Sequence, residues 1–313
     1  MKSLALAAML SGVLVLFPGC TLVKVSLTEE VQPLQEQVIA GSGKDKVLVL
    51  DLTGVITAAE SAPKMADQKR PGLLPGIREA LDRAKGDPRV KALVLRINSP
   101  GGGVTASDTL YHELKRFRKE TNIPIVAHIM DVGASGAYYA ALAADAITAQ
   151  PTSVTGSIGV IMYRVDATGL LQKIGIQAAE ISSGDRKSMG SPLRPMSDDE
   201  RKLFQGVIDS LYRRFTALVA EERHLPGDAV RSLADGRVFT SGEAQAAGLI
   251  DAVGYLDDAV ELARKKAGLK EASVIMYHRP GEFKSNIYSL SLVNIDFGEL
   301  ADPGARFLYL WWP

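Results

Sequence analysis

Cysteine is almost absent from this sequence, which excludes several kinds of site. Cys20 is the only cysteine among 313 residues, so the chain can form neither an internal disulfide nor a cysteine metal cluster. Histidine is scarce as well, with four residues, and no metal-binding motif surrounds any of them. The sequence therefore predicts no bound metal ion.

A charge excess of either sign is also missing. Lysine and arginine total 36 residues, and aspartate and glutamate total 36 as well. Proteins that bind nucleic acid or an anionic surface through their overall charge carry a clear basic excess. We therefore expect no nucleic-acid partner.

The apolar run near the N-terminus is too short to be a typical membrane-spanning helix. It covers residues 4–17, whereas such a helix needs ~20 residues. A lysine precedes the run, as is typical of a secretory signal, and we assign residues 1–19 to that signal. We expect the rest of the chain to lie outside the cytoplasm.

Cys20 stands directly after the predicted signal. This placement resembles the lipidated cysteine of bacterial lipoproteins, which would anchor the chain to the membrane on the periplasmic side of the cell envelope. Gly19 fits the small residue expected before such a cysteine, whereas Phe17 and Pro18 do not fit the two positions before it. A chance cysteine after an ordinary signal and an uncleaved anchor are the alternatives. Residues 20–45 are rich in polar side chains and predict a tether between membrane and domain.

Strand-like and helix-like segments alternate after the predicted tether. Short apolar runs at 47–52, 92–97 and 123–130 are consistent with buried strands, and apolar residues with helical spacing lie between them. This alternation predicts an α/β fold with a mainly parallel sheet. Residues 176–181 predict a further strand.

A long helix is predicted after residue 197. Ser197 and Glu200 have the spacing of a capping box, and an apolar stripe follows at helical intervals. The stripe indicates either core packing or a subunit contact, and it consists of Leu203, Val207, Leu211 and Phe215.

Ser135 is the candidate nucleophile that the local sequence indicates. It lies where the 123–130 run gives way to an alanine-rich segment, and therefore at a strand-to-helix turn. Gly133 and Gly136 permit a sharp turn, and the N–H groups of a helix N-terminus favour the oxyanion that forms when a serine attacks a carbonyl. Two roles fit Ser135, namely a nucleophile and a simple helix N-cap.

A glycine triplet at 101–103 follows another predicted strand. Sites in parallel α/β sheets form at the carboxyl ends of strands. The triplet lacks the lysine of a phosphate-binding loop and the spacing of a dinucleotide motif, so we expect no nucleotide or other organic cofactor. Its backbone N–H groups could approach a reacting carbonyl, and a tight turn is the alternative.

The base that would serve Ser135 is not marked by a histidine motif. Lysine is the other common base, provided that desolvation keeps it neutral. Lys187 lies in a loop rich in glycine and serine and is the candidate, with a merely solvated lysine as the alternative. Spacing alone does not exclude a distant histidine.

Several segments occur in an order that resembles one known family. They are NSPGG at 98–102, ASGAYY at 134–139, TGSIGV at 155–160, the loop at 183–192, DGRVFT at 235–240 and GLID at 248–251. Together they resemble the bacterial signal peptide peptidase A family, serine proteases of the Clp/crotonase fold with a Ser-Lys dyad. The resemblance covers about residues 47–269, so we assign a catalytic domain to 46–270 and a C-terminal strand with an aromatic tail to 271–313.

The resemblance implies a role for each site residue. Ser135 would be the nucleophile and Lys187 the general base of an endopeptidase that forms an acyl-enzyme. Gly101 or Gly102 would donate one hydrogen bond to the oxyanion, and the N–H of Gly136 would donate a second.

The resemblance also implies that Ser157 holds the lysine amine by a hydrogen bond. We expect no cofactor. The resemblance further implies how the chain assembles. Because the motifs occur once, the chain resembles single-repeat members, which form rings or domes in which one site takes its serine and lysine from neighbouring subunits. The implied fold consists of repeated β-β-α units.

The implied substrates are hydrophobic peptides such as cleaved signal peptides. Two other functions stay open, namely a non-catalytic envelope scaffold or binding protein and an acyl-CoA hydratase or isomerase of the same fold. Residues 306–313 contain both tryptophans of the chain, which suits packing on the domain, contact with lipid headgroups, or occupation of a hydrophobic substrate groove.

Overall fold

The computed structural model describes residues 32–58, 71–280, 285–289 and 306–311. The predicted signal at 1–19 and the predicted lipidation site at Cys20 lie outside these residues. None of the helices within the described ranges is both long and apolar enough to cross a membrane.

The strands follow one another along the chain from an edge of the sheet to the C-terminal tail. They are β1 (Gln35–Gly41), β2 (Lys46–Thr53), β3 (Val90–Ser99), β4 (Gly101–Gly103), β5 (Ile125–Ala134), β6 (Ala146–Ala149), β7 (Val154–Gly156), β8 (Ile161–Tyr163), β9 (Val238–Thr240), β10 (Ala252–Val253), β11 (Ser273–His278) and β12 (Arg306–Leu310).

The helices alternate with these strands. They are α1 (Leu73–Gly86), α2 (Val104–Thr121), α3 (Gly136–Ala141), α4 (Thr168–Lys173), α5 (Asp198–Arg223), α6 (Gly227–Leu233), α7 (Ser241–Ala246) and α8 (Leu256–Lys266). Strand–helix alternation is therefore confirmed over most of the predicted catalytic domain.

The main sheet has nine strands, and its central path runs in the order β1-β11-β2-β3-β5-β6-β10. All neighbours along this path are parallel except β1 and β11. The predicted α/β class with a mainly parallel sheet is therefore confirmed.

Both faces of the main sheet are covered by helices. Successive side chains of a strand point to opposite faces, so neighbouring residues of a strand are both buried. In β2, Leu48 and Leu50 pack in the core cluster that contains residues of α1 and α2, whereas Val47 and Val49 pack against α8. Such a strand is apolar on both faces, which explains the uninterrupted apolar run in its sequence.

A smaller antiparallel sheet lies beside the main one, in the order β4-β12-β8. β5 extends beyond its pairing with β6, and its last residues pair with β7. An isolated parallel bridge between Ile56 and Gly102 ties the end of β2 to β4. The ends of β3 and β5 therefore lead into the same region, where the serine turn at Ser135 meets the glycine residues 101–103.

The structure differs from the sequence-based predictions at two segments. Residues 35–41, inside the predicted tether, form the edge strand β1, because Lys46 reaches Glu36 of β1 and Asp87 at 2.6 and 2.7 Å and β11 supplies backbone partners. Residues 176–181 form no strand, since no neighbouring strand pairs with them and their side chains are exposed. The prediction of a strand there is wrong.

Candidate active site

Ser135 occupies the turn between β5 and α3 in a backbone conformation that is rare for serine. Its φ is 53° and its ψ is −116°, outside the common regions for residues with a side chain. Although it is the residue before α3, its hydroxyl makes no capping hydrogen bond. The N-cap role considered from the sequence is therefore wrong, and the serine sits in a strained turn with its hydroxyl uncommitted to the helix.

Two backbone hydrogen bonds hold this turn. The Ser135 N–H donates to the Gly156 carbonyl of β7 at 2.7 Å, and the Tyr139 N–H donates to the Ser135 carbonyl at 2.9 Å. The strain at Ser135 persists because the surrounding sheet and helix fix its neighbours. Strain held in this way is common at catalytic nucleophiles, since it fixes the direction of the side chain.

The glycine triplet at 101–103, called the glycine loop below, lies directly against the turn at Ser135. Gly101 has a φ of 97°, which favours glycine, and a Cβ at this position would come within 2.7 Å of the Gly136 nitrogen. The Gly101 N–H donates to the Ser99 hydroxyl at 3.1 Å. Of the predicted oxyanion donors, the amide of Gly101 is therefore already used within the loop, which leaves Gly102 and Gly136 as the candidates.

The amide of Gly136 is the first of α3 and has no partner within that helix. Ser107 of α2 is buried against Gly136, and its hydroxyl donates to the Gly103 carbonyl at 2.9 Å. Ser107 thus joins the glycine loop to the serine turn. Ser99 and Ser107 were not predicted as site residues, although Ser107 stands four residues after Gly103, the spacing at which a helical hydroxyl reaches back to a carbonyl.

Ser157 directly follows β7 and lies beside Ser135. Ala134 pairs with Gly156 in the parallel ladder of β5 and β7, so the next residue of each strand, Ser135 and Ser157, stand side by side. Ser157 is buried and also has a positive φ, of 49°. The structure thus brings Ser157 to the candidate site.

Lys187 is not brought to Ser135 within one chain. Lys187 is exposed, and among the described residues no hydrogen bond joins it to Ser135, which is only 1% exposed. The neighbouring Ser188 is held by Arg194, which donates to the Ser188 hydroxyl at 3.1 Å and to Glu200 at 3.1 Å. The loop at 183–192 that carries Lys187, called the lysine loop below, is therefore attached to the start of α5.

A cluster of buried aromatic side chains packs around Tyr139 of α3, the helix that follows the serine turn. Tyr139 contacts Phe215 with ring centroids 5.0 Å apart and Tyr309 with centroids 5.3 Å apart. Burial, together with a hydrogen bond of 2.6 Å to Asp108, raises the pKa of Tyr139 and keeps its hydroxyl protonated. Within the ranges that the structure describes, no group of acidic, histidine or cysteine side chains has the arrangement of a metal site.

Comparison with known proteins identifies the family. The model of peptidase family S49 matches residues 117–270. A putative signal peptide peptidase SppA of Enterococcus faecium is 35% identical over 243 residues, which cover 78% of this chain and 70% of that protein. This chain belongs to peptidase family S49. The resemblance drawn from the sequence motifs is therefore confirmed, and it places the chain among serine peptidases.

A plant relative is matched over a smaller part of its own length. The chloroplastic serine protease SPPA of Arabidopsis thaliana is 36% identical over 70% of this chain, and the matched region is 33% of that protein. A solved structure of a ClpP1 mutant from Listeria monocytogenes superposes with a TM-score of 0.43 and 17% identity, covering 69% of this chain and 95% of that chain.

The main sheet contains repeated β-β-α units, as the family resemblance implied. β3, β4 and α2 form one such unit, and β2, the bridge at Ile56 and α1 form another. In both units the second β segment leaves the main sheet and leads into the candidate site.

Proposed function

We propose that this S49 protein is a serine endopeptidase that hydrolyses hydrophobic peptides, with Ser135 as nucleophile and Lys187 as general base. The observation that carries the proposal is the strained turn at Ser135, where an uncapped hydroxyl lies beside the first amide of α3 and the glycine loop. The acyl-CoA hydratase alternative would need catalytic carboxylates, and no observation of the site favours it.

In the proposed mechanism, Lys187 takes the proton of Ser135 as the serine oxygen attacks the peptide carbonyl. The N–H groups of Gly102 and Gly136 donate to the oxyanion of the tetrahedral intermediate. The leaving amine takes the proton from Lys187, and an acyl-enzyme remains. Water then attacks the acyl-enzyme with Lys187 again as base, which releases the acid product and restores Ser135.

We propose that the lysine comes from a neighbouring subunit of a ring or dome. Ser135 is buried under the domain surface, whereas Lys187 is exposed on a separate loop attached to α5. A second copy of the chain that docks this loop over the serine turn would complete the dyad and desolvate the amine, as a lysine base requires. Ser157, beside Ser135, would accept a hydrogen bond from that amine.

We further propose that the protein acts in the bacterial cell envelope. The apolar run at 4–17 with Cys20 behind it would anchor it to the membrane, with the catalytic domain on the periplasmic side. The name of its Enterococcus faecium relative supports peptides derived from secretion signals as substrates.

The deciding experiment measures cleavage of an unstructured apolar peptide by the purified chain from residue 21 onward. Ser135→Ala and Lys187→Ala should each abolish cleavage at unchanged oligomer mass, whereas Lys173→Ala, which removes another exposed lysine, should cleave like the wild type. If all these proteins cleave equally, the dyad is refuted. If the wild type assembles but cleaves no peptide, the scaffold function is supported instead.

Mixing the two inactive variants tests the shared site. After subunit exchange in equal amounts, each site has one chance in four of pairing an intact serine with an intact lysine from its neighbour. About a quarter of the wild-type activity should return, as expected for a head-to-tail ring. A site built within one subunit would give no recovery.

A further inference from the structure

The carboxylate of Asp108 joins three helices around the candidate site. Asp108 lies in the first half of α2, and its Oδ1 accepts a hydrogen bond from the Tyr139 hydroxyl of α3 at 2.6 Å. The same oxygen accepts hydrogen bonds from Nε and Nη2 of Arg214 in α5, at 3.1 and 2.5 Å. One carboxylate therefore ties the helix after the serine turn, α3, and the helix after the lysine loop, α5, to α2.

Tyr139 is connected to Ser135 through the first turn of α3. Its N–H donates to the Ser135 carbonyl at 2.9 Å, and the residue is 0% exposed. Its ring packs in T-shaped geometry against Phe215 of α5 and Tyr111 of α2, with centroids 5.0 and 5.7 Å apart. Because α3 has six residues, a shift of Tyr139 displaces the whole helix, including Gly136 at its start.

The turn at Ser135 needs support from both sides because its backbone is strained. A positive φ in a residue with a side chain persists where the surrounding structure over-determines it. On one side, the Ser135 N–H is bound to the Gly156 carbonyl of β7 at 2.7 Å. On the other side stands α3, which is too short to be a stable helix by itself. Its polar link to α2 is the bond from Tyr139 to Asp108, and a carboxylate acceptor makes such a bond about twice as strong as one between neutral groups.

We propose that Asp108 is a positioning residue for the nucleophile: it acts through the Tyr139 hydroxyl to hold the strained turn at Ser135 and the Gly136 amide in their reactive arrangement. This inference rests on the proposed function. Among the described residues no hydrogen bond joins Asp108 to Ser135, so its influence passes through α3. The effect should therefore appear in the chemical step and not in substrate binding.

The lysine loop is held by other residues. Arg194 fastens it to Glu200 in the first turn of α5, at 3.1 Å. Arg214 lies about 20 Å further along the same helix, at a rise of about 1.5 Å per residue. Asp108 should therefore act on the serine that its own chain contributes, and not on the Lys187 that the chain would lend to a neighbour.

Substitutions at the two ends of the hydrogen bond measure this role in peptide cleavage. Asp108→Ala removes the acceptor, and Tyr139→Phe removes the donor but keeps the ring. We expect each to lower kcat by about 10- to 100-fold, as a small misplacement of reacting groups does, with KM changed by less than about threefold. Asp108→Asn keeps an acceptor oxygen and should retain most of the activity. The double variant should lose no more than Asp108→Ala, because both changes break one bond.

Lys115→Met is the matched control. It breaks a different ion pair between α2 and α5, in which the Lys115 Nζ lies 2.6 Å from Glu222, and it leaves Glu222 the Tyr111 hydroxyl as donor. This variant should keep the kcat and the oligomer mass of the wild type. A control that lost as much activity as Asp108→Ala would show that any link between these helices has the same effect, which would overturn the positioning role.

Hydrogen exchange followed by mass spectrometry gives a readout that needs no catalysis. Fragments covering 133–141 contain the Ser135 and Tyr139 amides, which are protected by the two backbone bonds of the turn. Asp108→Ala and Tyr139→Phe should each speed exchange in this segment by at least about tenfold, because the opened turn exposes these amides. Lys115→Met should leave the exchange unchanged.

Mixing inactive variants shows which side of the site Asp108 serves. In a mixture of Lys187→Ala and Ser135→Ala chains, the Lys187→Ala chain contributes the serine. Asp108→Ala should lower the recovered activity by about 10- to 100-fold when it is added to the Lys187→Ala chain, and should leave it unchanged when it is added to the Ser135→Ala chain. Equal losses in the two placements would overturn the role at the serine.

The outcomes separate this inference from the proposed function. Unchanged exchange at 133–141 in both Asp108→Ala and Tyr139→Phe would overturn the inference, as would a rise in KM with kcat unchanged. If the wild type cleaves no peptide, the peptidase proposal fails, and faster exchange at 133–141 in these two variants but not in Lys115→Met would still establish that Asp108 holds the turn.

Discussion

Gly136 shows how one residue can control the candidate site. A Cβ at this position would clash with the Ser107 hydroxyl and would lie 3.0 Å from the Tyr309 carbonyl oxygen. Gly136→Ala should therefore displace the first amide of α3, which we assign to the oxyanion. We expect kcat to fall by about 10²–10³-fold, the loss typical of one missing oxyanion donor, with the fold retained in circular dichroism.

Gly206 provides the matched control for this substitution. It lies inside α5, and a Cβ there would meet nothing within 4 Å. Gly206→Ala should keep full activity and stabilise the protein by up to ~1 kcal/mol, because alanine favours the helix. Adding Ser107→Ala to Gly136→Ala should restore part of the lost activity. Full activity of Gly136→Ala alone would contradict the assigned role of this amide.

The residues of the site were predictable from sequence to different degrees. Ser135 and the glycine loop could be found because local sequence alone places them at the ends of strands. The choice between Gly101 and Gly102 could not be made, because it depends on the Ser99 hydroxyl that accepts the Gly101 N–H. The strain at Ser135 was equally invisible, since serine has no sequence mark for a positive φ.

Individual elements were predictable where their own sequence determines them. The capping box of α5 forms as expected, with the Glu200 N–H donating to Ser197 at 3.2 Å. The buried strands β2, β3 and β5 show the apolar runs that two covered faces require. The strands at 35–41 and 306–310 depend on partners far away in the chain, which no local pattern reveals.

The pairing of β5 with β6 buries a titratable group, which links strand packing to pH. His128 is fully buried, and its Nδ1 lies 2.8 Å from the Thr148 hydroxyl, while no described group binds its Nε2. Burial lowers the pKa of His128 from 6.5 to about 4, with Arg96 acting in the same direction and Asp258 opposing it. The folded protein therefore holds this histidine neutral.

The sign of the pH effect follows from that lowered pKa. Between pH 6.5 and 4 the unfolded chain binds a proton at His128 that the folded chain does not, so stability is complete above pH 6.5 and falls as the pH drops. The shift corresponds to at most about 3 kcal/mol in the free energy of unfolding. Urea unfolding of wild type and His128→Asn at several pH values measures it.

The comparison of slopes decides the origin of the pH effect. Asparagine can keep the hydrogen bond to Thr148 but does not titrate, so His128→Asn should flatten the fall in stability between pH 6.5 and 4 even if its absolute stability is lower. His112→Asn removes an exposed histidine of α2 and should leave the slope unchanged. An unchanged slope in His128→Asn would assign the acid sensitivity to other groups.

At the scale of the whole molecule, a single chain leaves the proposed dyad incomplete. The sequence marks Lys187 through its family motif, but in the described chain Lys187 is exposed and makes no hydrogen bond to the buried Ser135. Under the proposed shared site, assembly would bring the two side chains together. The stripe predicted on α5 divides accordingly. Phe215 is buried in the core, whereas Leu203 and Val207 are 39% and 42% exposed.

These exposed apolar residues belong to the half of α5 next to the lysine loop, and they predict where the copies meet. A surface that is apolar and close to the proposed shared lysine is suited to contact with a second subunit. Leu203→Glu should therefore reduce the mass measured by light scattering and lower peptide cleavage at least tenfold, while circular dichroism stays that of the wild type. Lys202→Glu, at the neighbouring position that is 79% exposed, changes the charge by more and should leave both mass and cleavage unchanged. If Leu203→Glu assembles and cleaves like the wild type, this half of α5 faces solvent, and the contact that brings Lys187 to Ser135 must be formed by another surface.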